Sequence, residues 1–355
     1  MVTWMRPQPL ATTPTVTVVI PCYNYARYLP DCVASATDQP GVHVDIIIID
    51  DASTDDSAAV AERLASSRSR VQLVRHKANA GHIATYNDGL NRATGDYVVL
   101  MSADDLFTPG HLQRAVAVME ARPDVSLVYG RPIPFTHQPP SARTAPTSWT
   151  VWPGHRWIQW ICRTGHNLIY TPEATMRTDL VQRLNGYDPR LPQAADFHLW
   201  LRAALHGNVA RLNGCDQGYY RVHGNNMHLT TYAGPLRDLV ERRRTFDLFF
   251  AENQLYLNDP AKLLRAANSA LYRQAISLGR EELDSGRSGL ELFNSYTAIA
   301  DELRPETRQR NAHRNRRRLQ RTLEGRPPSW IQRVQSYTRA ARWRIRYRRW
   351  RRLGV

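Results

Sequence analysis

The sequence predicts an α/β fold: a mostly parallel sheet with helices on both faces, followed by a C-terminal helical extension. Three observations carry that expectation. Two short apolar runs, Ile46-Ile47-Ile48-Ile49 and Tyr97-Val98-Val99-Leu100-Met101, have the unbroken hydrophobicity of strands buried on both faces. Each run ends against an acidic pair, Asp50–Asp51 and Asp104–Asp105, which would stand at the carboxyl edge where open α/β sheets bind ligands. Strand and helix signals also alternate from residue 15 to about residue 130, in units of the size that β-α repeats require.

Taken in order, Val16-Thr17-Val18-Val19-Ile20 reads as a strand ended by Pro21, and Arg27 to Thr37 suits a helix. The Ile46–Ile49 strand follows. Ser53-Thr54-Asp55-Asp56 supplies capping side chains for a helix through Ser66. Val71 to Val74 is a short strand. Ala80 to Arg92 carries Ile83, Tyr86 and Leu90 on one helical face and ends near Gly95. Tyr97 to Met101 is a strand, Leu112 to Ala121 a helix and Val125 to Tyr129 a further strand. Residues 131–157, rich in Pro, Ser and Thr, read as a mobile loop. Residues 158–225 mix short elements with closely spaced polar residues. From residue 235 to about 323 the pattern is mostly helical, with Leu239, Phe246, Phe249 and Phe250 as packing candidates. The expected organisation is an extension over 1–14, a main domain over 15–230 in two halves, 15–130 and 131–230, a helical extension over 231–325 and a basic tail over 326–355.

The chain has 355 residues, 42% of them hydrophobic, enough for one large core and an accessory region. No run approaches the ~18–20 apolar residues of a membrane span, and Met1 to Pro14 lacks a signal-peptide pattern. Cys22, Cys32, Cys162 and Cys215 have no metal-site or disulfide spacing, so reduced thiols in the cytoplasm are expected. The net charge of +15 is local. Residues 314–355 hold 15 Arg, no Lys and the single acid Glu324, which leaves the body near +1. A near-neutral body argues against a nucleic-acid-binding core. In the tail, Trp330, Ile331, Val334, Tyr337, Ala341 and Ile345 can share a helical face, with Trp343, Tyr347 and Trp350 among the arginines. That composition suits a helix in an anionic membrane interface, the bland alternative being a disordered basic tail.

Two carboxylate pairs brought to one sheet edge repel unless a cation or polar ligand lies between them. A divalent metal holding a nucleoside diphosphate resolves that repulsion economically. Tyr23 and Asn24 follow the first strand, where an aromatic can stack on a nucleobase, although a Tyr there is often structural. Asp51 can accept the imide N–H of uracil or thymine, or cap a helix, a task Ser53 and Asp55 already fill. Asn79-Ala80-Gly81 opens a helix, and Gly81 permits close backbone approach to a phosphate. Asp104 and Asp105 suit Mg²⁺ or Mn²⁺, or else cap the helix beyond Pro109. Asp196 begins an amphipathic helix, where it is stabilised by the dipole and can also accept a proton from an attacking hydroxyl. His223 can ligate the metal or touch the diphosphate. His166 and the cluster Trp149, Trp152, Trp157 and Trp160 can line a sugar-acceptor site, with Trp157 and Trp160 the named candidates; plain packing suits the tryptophans equally.

Read together, these strings resemble family 2 glycosyltransferases of the GT-A fold over roughly residues 15–230. The resemblance rests on Val-Val-Ile-Pro-Cys-Tyr-Asn, Ile-Ile-Asp-Asp-Ala-Ser-Thr-Asp and Asn-Ala-Gly with the following Asn87. It continues through Gly95-Asp96-Tyr97 leading to Ser-Ala-Asp-Asp, Gly186-Tyr187-Asp188 leading to Ala-Asp-Phe-His-Leu-Trp-Leu-Arg, and Tyr-Arg-Val-His-Gly. It implies inverting transfer from a nucleotide sugar, a UDP-sugar first, to a glycan or lipid-linked acceptor, with Mg²⁺ or Mn²⁺. By the same resemblance Pro21, Tyr23 and Asp51 hold the base with Asp50 beside them, and Asp104 and Asp105 serve ribose and metal. Asp196 is then the general base, and His223 lies near the diphosphate. Two departures stand out: Ser102 replaces the first acid of the usual Asp-x-Asp, and Ala195-Asp196 replaces a Glu-Asp pair. The expected setting is polysaccharide or cell-wall synthesis, cytoplasmic and peripheral on the inner face of the plasma membrane. Competing classes are a nucleotidyl or phosphoryl transferase, which needs paired acids but not the Asp196 and His223 strings, and a nucleic-acid binder acting through the tail alone.

Overall fold

The apolar runs that announce strands in the sequence become the centre of a nine-stranded sheet. The computed structural model describes residues 1–224, 226–227, 230, 233–285 and 289–324, with Trp330, Thr338, Ala341 and Ile345 beyond them. The basic-tail helix expected over 326–355 therefore lies almost wholly outside the described residues. The chain forms two compact units, one of Met1–Ile158 with Leu168–Gly224 and the other of Gln159–Asn167 with Asn225–Val355.

In the first unit the elements run β1 (Thr3–Met5), β2 (Thr15–Cys22), α1 (Leu29–Thr37), β3 (His43–Asp50), α2 (Ser57–Ser66), β4 (Val71–Arg75), α3 (His82–Arg92) and β5 (Tyr97–Leu100). They continue with β6 (Leu106–Phe107), α4 (His111–Ala121), β7 (Val125–Tyr129), β8 (Pro132–Phe135), β9 (Ser148–Trp152) and α5 (Gly154–Thr164), which crosses the unit boundary. After it come β10 (Thr175–Arg177), α6 (Thr178–Arg183), α7 (Ala195–Leu205), β11 (Asn208–Asn213) and β12 (Gly218–Arg221). The large sheet has the order β1-β9-β11-β7-β10-β5-β2-β3-β4. Strands β4, β3, β2 and β5 are mutually parallel, as are β7 and β11, while β10, β9 and β1 run antiparallel to their neighbours. A small sheet, β6-β12-β8, stands apart from it.

Burial follows the sequence pattern. Val16, Val18, Val19 and Ile20 of β2, Ile46 to Ile49 of β3 and Val98 to Leu100 of β5 are all buried, because helices cover both faces. Leu29, Cys32, Val33 and Ala36 form the buried stripe of α1. Helix α3 lies close on the sheet because residue 89 is Gly: a Cβ there would stand 2.2 Å from Cγ1 of Val19.

Several boundaries differ from expectation. β2 does not stop at Pro21 but runs to Cys22, which pairs with Asp50. The Pro-rich stretch 131–157 is not one loop: it holds β8, β9 and the start of α5. β8 tolerates Pro132 and Pro134 because it is an edge strand and its missing N–H groups forfeit no ladder bond. Helix α7 is not amphipathic. Ala195, Phe197, His198, Leu199, Trp200, Leu201, Ala203 and Ala204 are all buried, so it is a core helix.

The second unit contains α8 (Pro235–Asn253), α9 (Pro260–Ser285), α10 (Gly289–Leu303) and α11 (Arg308–Leu323). Its buried side chains include Leu239, Phe246, Phe249, Leu271, Phe293 and Tyr296. Buried Arg242 donates to the carbonyl of Gly165 and to Oε1 of Gln274, and Arg318 pairs with Asp284 at 2.5 Å. All four cysteines are buried thiols. No helix among the described residues is long and apolar enough to cross a membrane.

Candidate active site

The parallel strands deliver their carboxyl ends to one edge, and two loops close together there. Asn24 follows β2 in the left-handed region, φ 59°, which Asn tolerates better than most residues. Its N–H donates to Oγ of Ser53 at 3.0 Å, while its Oδ1 accepts from the N–H groups of Thr54 and Asp55 at 2.8 and 3.3 Å. Asn24 is thus a tie between the β2–α1 and β3–α2 loops. Beside it Pro21 is partly buried and Tyr23 is exposed, available to a flat ligand.

Asp51, 3% exposed, follows β3. Oδ1 accepts from the N–H of Ala80 at 2.8 Å and faces Nδ1 of His76 at 2.7 Å, and Oδ2 accepts from the N–H of Gly81 at 3.0 Å. Asn79 donates to the carbonyl of Asp51 at 3.2 Å. Burial opposes ionisation of Asp51, but hydrogen bonds from Ala80, His76, Thr85 and Gly81 outweigh it and hold the carboxyl below its ordinary value. The amide of Gly81, expected to face a phosphate, is therefore engaged by a carboxylate of the protein itself. Gly81 has φ 84°, and an added Cβ would meet nothing within 4 Å, so backbone conformation and not crowding calls for glycine here. Asp50 is 2% exposed, with Oδ1 buried and lacking a hydrogen-bond partner.

The second acidic pair follows β5. Asp105, 1% exposed, accepts the N–H of Arg221 at 2.8 Å. Oδ2 of Asp104 lies 2.9 Å from Nε2 of His223, and the carbonyl of Asp104 accepts Nε–H of Arg221 at 2.7 Å. The Arg221 guanidinium sits over the rings of Tyr28 and Phe135, 4.7 and 4.5 Å from their centroids. His223 stacks on Tyr28 with centroids 5.2 Å apart. Burial pushes both carboxyls up, with the neighbouring Asp104 charge adding to the rise at Asp105. Carboxylates and an imidazole are donor types that Mg²⁺ or Mn²⁺ accepts. A cation there would also offset the desolvation that now disfavours the charged acids.

Asp196 lies in the first turn of α7, partly exposed, its Oδ1 accepting the N–H of Phe197 at 2.6 Å. Tyr86 on α3 joins this acid to the others. Its phenol is 3.2 Å from Oγ of Ser102, and burial, then Asp105, Asp104 and Asp196, push its ionisation up. Tyr86 packs edge-on against Tyr187, centroids 5.3 Å apart, and Tyr187 also feels Asp196. The acids after β5 and the acid of α7 thus all disfavour ionisation of one phenol. At the start of α3, His82 bonds the carbonyl of Pro192 at 2.7 Å and feels the charge of Asp51.

The acceptor candidates are not brought together in this way. Trp157 is 1% exposed within the first unit, a packing residue with no face open to a sugar, while Trp160 and His166 belong to the second unit. The sequence reading gave no role to His76 and read Tyr86 only as part of the apolar face of α3. A hydroxyl at the tip of an otherwise apolar helix face pointing at a sheet's carboxyl edge is the signal that was there to be used.

Residues 17–179 match the family described as Glycosyl transferase family 2. An uncharacterized glycosyltransferase of Nostoc sp. is 29% identical over 249 residues, 69% of this chain and 74% of that protein. Among solved structures, S. aureus TarS 1–349 in complex with UDP-GlcNAc aligns with a TM-score of 0.61 at 18% identity, over 88% of this chain and 92% of that one. The mannosyltransferase PcManGT from Pyrobaculum calidifontis, in complex with GDP-Man and Mn²⁺, aligns with a TM-score of 0.52 at 18% identity, over 86% and 90%. At such identities the two structures speak to the fold, which is GT-A.

Proposed function

We propose that this chain, whose residues 17–179 match the glycosyl transferase family 2 model and whose fold is GT-A, is a family 2 glycosyltransferase that inverts the transferred sugar in one displacement from a nucleoside-diphosphate donor. The observation that carries the reading is the buried pair Asp104–Asp105 after β5, tied to Arg221 and His223, together with Asp196 in the first turn of α7 of the same unit. A nucleotidyl transferase needs the first two acids and has no use for the third.

The residues divide the work by position. Tyr23 offers an exposed ring to the base, and the Asn24 and Asp51 ties hold the loops on which it stands. Asp104, Asp105 and His223 would hold Mg²⁺ or Mn²⁺, which when bound supplies positive charge for the leaving diphosphate. Arg221 keeps the two acids in place through its N–H and Nε–H. Asp196 takes the proton of the acceptor hydroxyl as that oxygen attacks the anomeric carbon from the side opposite the nucleotide. A UDP-sugar is the first donor to try, because solved relatives of this fold carry UDP-GlcNAc or GDP-Man.

The acceptor in this reading is a glycan or lipid-linked glycan, in polysaccharide or cell-wall synthesis. The arginine-rich tail from residue 326 would hold the cytoplasmic enzyme on an anionic membrane face. Incubating the full chain with Mn²⁺ and single nucleotide sugars, then assaying released nucleoside diphosphate, tests the transfer. Release of pyrophosphate, or turnover of no nucleotide sugar, rejects it. Equal partition onto anionic vesicles with and without residues 326–355 rejects the membrane role.

A further inference from the structure

Helix α3 is tied at two points to the chain that leads into α7, by residues given no part in the chemistry above. Asn87 holds both backbone groups of Tyr187: its Oδ1 accepts the N–H at 2.7 Å and its Nδ2–H donates to the carbonyl at 2.8 Å. Five residues earlier on α3, Nε2 of His82 lies 2.7 Å from the carbonyl of Pro192. A carbonyl only accepts, so this nitrogen carries the hydrogen and the imidazole donates. Burial keeps the pKa of His82 below its ordinary 6.5, so the ring donates as a neutral group.

The segment beyond these ties is bonded turn by turn into α7. Asp188 accepts the N–H of Arg190 at 2.9 Å and two N–H groups of the same residue's guanidinium at 3.0 and 2.6 Å. The N–H of Leu191 donates to the carbonyl of Asp188 at 3.0 Å, and that of Ala194 to the carbonyl of Leu191 at 3.2 Å. The N–H of His198 then reaches the carbonyl of Ala194 at 3.0 Å, closing the first turn of α7 around Asp196. A shift of the Pro192 carbonyl, four residues before Asp196, is therefore carried into that turn. At the other end of the tie, Gly81 directly precedes His82. Its N–H, with that of Ala80, is held by the carboxylate of Asp51 at 3.0 and 2.8 Å.

We propose that His82 is a positioning residue: by holding the Pro192 carbonyl to the start of α3, beside the amides bound by Asp51, it sets the carboxylate of Asp196 relative to the donor. This rests on the glycosyl-transfer reading above, with Asp196 as its base. The imidazole acts through Pro192 and supplies registration, not charge, so an uncharged N–H of the same reach can replace it.

The experiment measures steady-state transfer by the full chain with Mn²⁺ and the nucleotide sugar it turns over fastest. The variants are His82→Phe and His82→Gln, each alone and combined with Asp196→Asn. His82→Phe keeps a ring and removes the N–H. Its kcat should fall about 10–100-fold, since misplacing a reacting group by ~1 Å can cost that much. Donor KM should stay near wild type. His82→Gln, which returns an amide N–H at similar reach, should recover most of the rate. In the Asp196→Asn background the His82→Phe change should cost less than about twofold, because the group it positions is already gone. Circular dichroism melts identify a Phe variant that fails to fold, and His82→Ala then carries the same comparisons. Equal fold losses in both backgrounds, a raised donor KM with unchanged kcat, or a Gln variant no better than Phe overturns the assignment. Turnover of no nucleotide sugar overturns the glycosyl-transfer reading instead, and full turnover by Asp196→Asn alone overturns its base.

Discussion

Nδ1 of His76 stands 2.7 Å from Oδ1 of Asp51, joining the first residue after β4 to the first residue after β3. Through Asp51 the same pair reaches the N–H groups of Ala80 and Gly81 ahead of α3, so one ion pair ties three loops at this edge of the sheet.

That pair predicts a pH window for stability. The hydrogen bond to Asp51 raises the pKa of His76 above its ordinary 6.5, against burial, while the pKa of Asp51 lies below 3.8. The contribution of His76 is complete below 6.5 and is lost as pH rises through its raised folded value. The contribution of Asp51 is complete above 3.8 and is lost as pH falls through its lowered value. His76→Gln should cost about 1–2 kcal/mol at pH 6, or about 2–4 °C in Tm, and less above pH 8. Thermal melts from pH 5 to 9 check this; parallel curves for the variant and wild type would remove the ion pair from the account.

Arg221 is the buried counter-charge for two acids whose pKa values burial has raised. Arg221→Met keeps the length of the chain and removes the charge, so metal-free protein should lose about 3–5 kcal/mol. Added Mn²⁺ should recover more Tm in the variant than in wild type, because the cation then supplies the missing positive charge. Melts in EDTA and in Mn²⁺ decide it, and an equal gain for both proteins would contradict the compensation.

Asp104→Asn should weaken Mn²⁺ binding measured with UDP present by about 10–100-fold, the scale seen when groups around a metal are lost. Titration calorimetry reads it directly, and Asp45→Asn on the exposed flank of β3 is the control. Undiminished affinity would move the metal away from the Asp104–His223 contact.

Trp157 separates packing from recognition. With 1% exposure it belongs to the core, so Trp157→Ala should destabilise the protein by about 3–5 kcal/mol. Trp157→Phe should restore most of that while leaving acceptor KM unchanged. A variant with wild-type Tm and a raised acceptor KM would return Trp157 to the acceptor site.

These outcomes trace how far the chain could be read unaided. The strands before Asp50 and Asp104 were legible because unbroken apolar runs have one economical home, a sheet covered on both faces. β8 and β9 were not, because what makes Pro132–Phe135 and Ser148–Trp152 strands is pairing with Gly218–Arg221 and Asn208–Asn213, far along the chain. Local composition there reads as loop. The acids of the site were visible as strings, whereas His76 acts through Asp51, 25 residues away, and Tyr86 through Ser102, 16 residues away. Helix α7 showed the opposite failure. The sequence reads it as an amphipathic helix begun by Asp196, but packing buries Ala195, Phe197 to Leu201, Ala203 and Ala204.

In the proposed reaction Asp196 is the base, and its environment says how its loss should read. It is partly exposed at the first turn of α7, so Asp196→Asn, nearly the same in size, removes a charge without leaving a cavity. Melting temperature and nucleotide-sugar binding should therefore stay close to wild type. Turnover should fall about 10²–10⁴-fold, the usual worth of a positioned general base. Because the loss lies in proton transfer and not in binding, kcat should fall while donor KM stays put. Asp196→Glu, which keeps the carboxylate but displaces it by one methylene, should recover part of the rate. If Asp196→Asn turned over normally, or lost donor binding in step with rate, the base would have to be sought among the other acids of the sheet's carboxyl edge.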